Sequence, residues 1–77
     1  DPGARFGPVE IPGHPGYPAV IKQSERDITV GYCPIFVGVT DDLTMVVAMR
    51  HRDQPEQACD GAVTAAASVI NTLKQGA

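Results

Sequence analysis

Hydrophobic positions along this chain repeat with two different periods, one helical and one of two residues. Between residues 58 and 73, Cys59, Ala62, Val63, Ala66, Ile70 and Leu73 recur at helical spacing, and Val69 widens the stripe. Alanine is the strongest helix former, so this segment is expected to be a helix with one apolar face. Asp53 followed three residues later by Glu56 matches a capping box with Asp53 as the cap, and Pro55 suits a first turn where its missing donor costs nothing. Gly76 marks the expected end.

Upstream the pattern is that of strands. Residues 35–39 and 43–50 are rich in Val, Ile, Phe and Met and flank Thr40-Asp41-Asp42, which reads as a hairpin. Residues 19–23 and 28–32 read as two further strands around a polar turn, Ser24-Glu25-Arg26-Asp27.

Side-chain alternation constrains the hairpin. Cys33, Ile35, Val37 and Val39 lie on one face, and Leu43, Met45, Val47 and Met49 form the heavier apolar face of the next strand. The two sets share one side if Val39 opposes Leu43, through a three-residue loop with Asp42 left-handed; a two-residue Asp41-Asp42 turn would flip one strand. Ile28, Val30 and Tyr32 have the opposite parity to Cys33, so Gly31 and Pro34 mark a bend or bulge. Phe36, Val46 and Ala48 also face away, giving the sheet a second apolar side that one helix cannot cover. The cover is expected to be the N-terminal arm, another chain, or a further part of the parent protein.

That arm is residues 1–18, which hold five of the seven prolines and four of the eight glycines. Such density excludes helix and interrupts any central strand. Val9-Glu10-Ile11 suits a short edge pairing, and residues 12–18 read as successive turns with polyproline II character. Phe6, Ile11 and Tyr17 along the arm serve either to wrap its own domain or to meet a partner. Residues 19–77 form the expected single domain.

Composition narrows the setting. A chain of 77 residues buries only about 60% of its unfolded surface, so its core alone is marginal. Cys33 opens a strand and Cys59 heads the helical stripe, and a disulfide between them would lay the helix across the inner face of the hairpin. Such bridges persist in oxidising compartments, which places the chain outside the cytoplasm. Net charge is −3, and the six Lys and Arg are scattered, so no footprint for nucleic acid is present. No apolar run approaches the ~20 residues that cross a bilayer. The first residues lack a signal peptide's pattern, so any export signal is expected to have been removed, with Asp1-Pro2-Gly3-Ala4 suiting a mature start.

Three stretches carry a resemblance to a known group: Cys33-Pro34-Ile35-Phe36-Val37-Gly38-Val39, Leu43-Thr44-Met45-Val46-Val47 after an acidic turn, and Gln54-Pro55-Glu56-Gln57-Ala58-Cys59 before the Ala-rich helix. Together with the Gly-rich turn over residues 13–19, they resemble the closing half of an uncharacterised family of actinobacterial, mycobacterial-type secreted proteins and lipoproteins. The resemblance covers residues 11–73. It implies an exported, disulfide-bonded α+β domain, commonly lipid-anchored, with no activity to transfer. The chain departs from the pattern in lacking an anchor cysteine and the family's opening half.

Chemistry is sparse. His14 in the arm, His51 after a strand and the Asp41-Asp42 turn are too dispersed for a metal site, and Arg50 and Arg52 would repel a cation from His51. No Ser or Cys is paired with a base and an orienting group, and Glu25 and Asp27 belong to a polar turn. No phosphate-cradling glycine loop is present, so no cofactor is expected. Arg50-His51-Arg52 forms a small basic knot suited to an acidic partner. A redox role is disfavoured because Cys33 and Cys59 lack the close pairing that lowers a thiol pKa.

The expectation is an α+β domain with an antiparallel sheet of three to four strands, one C-terminal helix on one face, and a Cys33–Cys59 staple. Its expected function is that of a noncatalytic extracytoplasmic interaction module, an accessory subunit of an envelope complex that binds another protein. The expected contact residues are Phe6, Ile11, Tyr17, Tyr32, Phe36, Val46, Arg50 and Arg52. Membrane association is expected only through a partner or a missing anchor. The second reading is a carrier of a small apolar ligand or lipid between sheet and helix.

Overall fold

A computed structural model describes residues 4–76 of the chain. Residues 1–3, which hold most of the expected mature start, and Ala77 lie outside the described residues. Four strands form one antiparallel sheet in the order β1 (Arg5–Val9), β2 (Ala19–Gln23), β3 (Tyr32–Thr40) and β4 (Leu43–Arg50). A short helix α1 (Glu25–Val30) links β2 to β3, and a 3-10 turn at Pro55–Gln57 leads into the long helix α2 (Ala58–Gly76). The α+β architecture read from the sequence is therefore the one observed.

The inner face of the sheet carries the core. Ala19 and Ile21 from β2, Cys33, Ile35 and Val37 from β3, and Ala58, Cys59, Ala62, Ala66 and Ile70 from α2 are all buried. Alanines at 62 and 66 let the helix approach the strands closely. Cys33 and Cys59 are joined in a disulfide with Cα atoms 5.1 Å apart, which fixes the first turn of α2 above β3. At the other end the arm supplies Ile11, 1% exposed, to the same core.

Four sequence expectations change. Residues 24–30 are not a turn followed by a strand. Ser24 accepts a hydrogen bond from the Asp27 amide, Asp27 Oδ2 accepts one from the Ser24 amide, and Gly31 ends the helix at φ 74°. This reciprocal capping outweighs the strand preference of Ile28, Thr29 and Val30. Conversely, the box expected at Asp53 and Glu56 is absent: Gln54 is the cap residue and makes no side-chain cap bond, while Pro55 occupies the first turn as expected.

The hairpin turn is the two-residue Asp41-Asp42, with Thr40 opposite Leu43, instead of a three-residue loop. Among the described residues no non-glycine has positive φ, so Asp42 is not left-handed. The flip that such a turn would impose is undone by a bulge between Gly38 and Thr40, which leaves Val39 as the extra residue. Val37 then faces Met45, Ile35 faces Val47, and Cys33 faces Met49 on the inner side, as the alternation required.

The arm, finally, contributes a full edge strand at Arg5–Val9, earlier than the expected pairing at residues 9–11. Hydrogen-bond phase explains how Pro8 is accommodated. The Gly38 amide donates to the Pro18 carbonyl, which sets the even-numbered residues of β2 toward β3 and the odd-numbered ones toward β1. Pro8 pairs with Val20, so its nitrogen points to the open edge, where no donor is required.

Candidate interaction surface

The outer face of the sheet is built by the same alternation that builds the core. Pro8, Val20, Phe36 and Val46 form one row across all four strands, and Phe6 and Lys22 form a second row beside it. Phe6 is 74% exposed and Val46 54% exposed, whereas Phe36 and Val20 are half-buried. No second layer of the described chain covers this side. Lys22 bridges the two aromatics: its Nζ lies 4.7 Å from the Phe36 ring centre and 5.8 Å from that of Phe6. An ammonium so placed is attracted to the ring faces by their quadrupoles, by about 0.5–1 kcal/mol at an exposed site, and draws the two rings into one ridge.

Beside this ridge the arm closes a groove of about 740 Å³, lined by Pro8, Ile11, Tyr17, Pro18, Val20 and Phe36 among others, with Lys22 and Glu10 as its charged members. The arm is held in place by turns and one long-range contact. The amide of His14 donates to the Ile11 carbonyl, and the amide of Tyr17 donates to the His14 carbonyl. The buried His14 side chain donates from Nε2 to Asn71 Oδ1 on α2 at 2.8 Å, and its ring stands edge-on to Tyr17. His14 is thus the clasp between arm and helix, and its Nδ1 is buried with no protein partner.

The expected contact residues separate into groups. Phe6, Phe36 and Val46 lie together on the outer face, and Tyr17 lines the groove at its border. Ile11 is a core residue, only 1% exposed, so it offers a partner almost no surface. Tyr32 and Arg50 pair across β3 and β4, with the Arg50 guanidinium 5.7 Å from the Tyr32 ring centre. Arg52 is exposed in the connection to α2, close to His51, whose Nδ1 accepts from the Gln54 amide. Sequence reading missed Lys22; its position two residues after Val20 in a strand, where side chains share a face, was the available signal.

Among the described residues there is no cluster of three or more His, Cys, Asp or Glu side chains that could hold a metal ion. No described helix is long and apolar enough to cross a membrane. No protein-family model, curated protein or solved structure matches the chain.

Proposed function

We propose that this domain is a noncatalytic interaction module that works in an oxidising, extracytoplasmic setting and binds another protein through the outer face of its sheet. The observation that carries this reading is the uncovered apolar face with the groove beside it, pre-formed by the Phe6–Lys22–Phe36 ridge and the clasped arm. A contiguous apolar patch rimmed by polar groups is characteristic of interaction sites on small domains. The Cys33–Cys59 bridge supports the compartment, since a disulfide of this kind persists where thiols are not kept reduced. Secretion and actinobacterial origin, which the family resemblance implies, and a place in an envelope complex belong to the same proposal.

The carrier reading gains no support on the helix side, where Ala62, Ala66 and Ile70 are fully buried between helix and sheet. Affinity capture from native envelope tests the main reading. The exposed pair of substitutions Phe6→Ser and Lys22→Glu should abolish capture of the partner, and Lys74→Glu on the exposed last turn of α2 should leave it intact. Equal capture by both variants would refute the assignment of the face.

A further inference from the structure

The two edges of the sheet are not alike. On β1 the outward-facing backbone positions are Phe6 and Pro8, and Pro8 has no amide to offer, so a second strand cannot extend the ladder there. On β4 the phase is set by the His51 amide donating to the Gly31 carbonyl at 2.8 Å. Odd-numbered residues of β4 therefore bond to β3, and Thr44, Val46, Ala48 and Arg50 turn their amides and carbonyls to solvent. This edge is eight residues long and holds no proline, glycine or lysine. Leu43 and Met49 lie beside it on the helix side, 56% and 42% exposed.

We infer that β4 pairs antiparallel with β4 of a second copy of this chain about a two-fold axis at Val46, joining two sheets into one of eight strands. This inference stands apart from the outer-face reading: it uses the backbone edge of β4, and shares with that face only the Val46 side chain. Three properties of β4 select the register. Outward backbone groups must meet outward backbone groups, which Val46 opposite Val46 and Thr44 opposite Ala48 satisfy. Apolar side chains meet apolar ones: Leu43 opposes Met49 of the second copy, and Met45 opposes Val47. Charge is complementary at both ends, because Asp42 opposes Arg50 of the second copy and the acidic turn Asp41-Asp42 lies along the basic knot Arg50-His51-Arg52.

Sliding the pair one step either way sets Leu43 against His51 or Asp42 against Ala48 and loses this match. The chosen register also brings Leu43 of the second copy to the mouth of the groove lined by Met49, Gly61 and Ala65 between β4 and α2. The basic knot and the acidic turn, both solvated in one copy, acquire a common role.

Sedimentation of the oxidised protein over a concentration series, combined with amide exchange, tests this. The wild-type chain should form a dimer in which the Val46 and Ala48 amides become protected as the dimer fills. Asp42→Arg and Arg50→Asp should each weaken the dimer by about tenfold, because like charges directly opposite on paired strands repel by roughly what opposite charges gain. An equimolar mixture of the two variants should form a heterodimer of wild-type affinity, since every end pair is then opposite in sign. Phe6→Ser with Lys22→Glu should dimerise like wild type, which separates this surface from the outer face. A wild-type chain that stays monomeric at every concentration, a mixture that fails to restore the dimer, or a dimer with freely exchanging Val46 and Ala48 amides would overturn the inference.

Discussion

Reducing the Cys33–Cys59 bridge is the perturbation that tests the covalent staple most directly. The bridge spans 26 residues, and closing a loop of that length removes about 3.5 kcal/mol of unfolded-state entropy in the chain-entropy model. A 77-residue domain shifts its melting temperature by roughly 4–8 °C per kcal/mol, so reduction should lower Tm by about 14–28 °C. Cys33 is fully buried and Cys59 is 7% exposed, so the freed thiols remain in apolar surroundings and add little cost of their own. The discriminating readout is the urea m-value. A tie that acts on the unfolded ensemble makes the reduced chain expand further on unfolding, so m should rise as the midpoint falls. Loss of native packing alone would lower the midpoint at constant m. Thermal and urea melts of the oxidised protein, of the protein held reduced with its thiols free, and of Cys33→Ala with Cys59→Ala would measure this. Reduction confirmed by thiol counting but leaving Tm unchanged would refute the role given to the staple.

Other substitutions report on single features. Gly31→Ala should cost about 3 kcal/mol or more, because a left-handed alanine would place its Cβ against the His51 carbonyl and 3.2 Å from Pro55 Cα, both backbone atoms. Gly13→Ala, also left-handed but with open space around it, should cost only about 1 kcal/mol; equal urea midpoints for the two variants would contradict the close approach at Gly31. Ser24→Ala removes the cap of α1 and should cost about 1 kcal/mol by urea unfolding, with faster exchange confined to the amides of residues 25–31. Asn71→Ala leaves the buried His14 Nε2–H without its acceptor and should cost about 1–3 kcal/mol, with enhanced exchange in the arm at residues 11–17; unchanged arm protection would mean that the clasp does not hold the arm.

The long helix and the β3–β4 hairpin were legible because their apolar periods are sustained over many residues, and the alternation of β3 and β4 predicted the shared face through a bulge it did not foresee. The bulge was hidden because a two-residue turn with an extra residue in one strand restores the same parity as a three-residue loop. Strand β1 was masked by Pro8 and Gly7, which argue against a strand until one knows that the proline nitrogen points away from the sheet. Helix α1 was misread because its β-branched residues favour a strand. The corrective signal was present in Ser24 and Asp27, three residues apart before an apolar pair, with Gly31 available for the left-handed cap. The outer face was legible from Phe36 and Val46, but Lys22 as the bridge between two rings depends on strand pairing that sequence spacing does not show.

The disulfide and the arm divide the labour of holding α2, and that division leaves two surfaces open. Cys59 ties the start of α2 to β3, while His14 reaches Asn71 near its other end and Ile11 fills the core beneath the arm. Both fasteners act on the helix side of the sheet. Neither crosses to the outer face, where the aromatic ridge stands, and neither reaches past β4, whose outward amides lie beyond the shadow of the helix. A domain this small gains most of its stability from one layer boundary and a covalent tie, so the opposite face and the far edge are free of structural duty. Substitutions such as Phe6→Ser or Asp42→Arg should therefore change association while leaving the urea midpoint of the isolated domain within about 0.5 kcal/mol of wild type, whereas Ile35→Ala in the fully buried centre of β3 should lower it by about 2–5 kcal/mol. If the surface substitutions destabilised the monomer as much as the core one, the separation of holding and binding surfaces would be wrong.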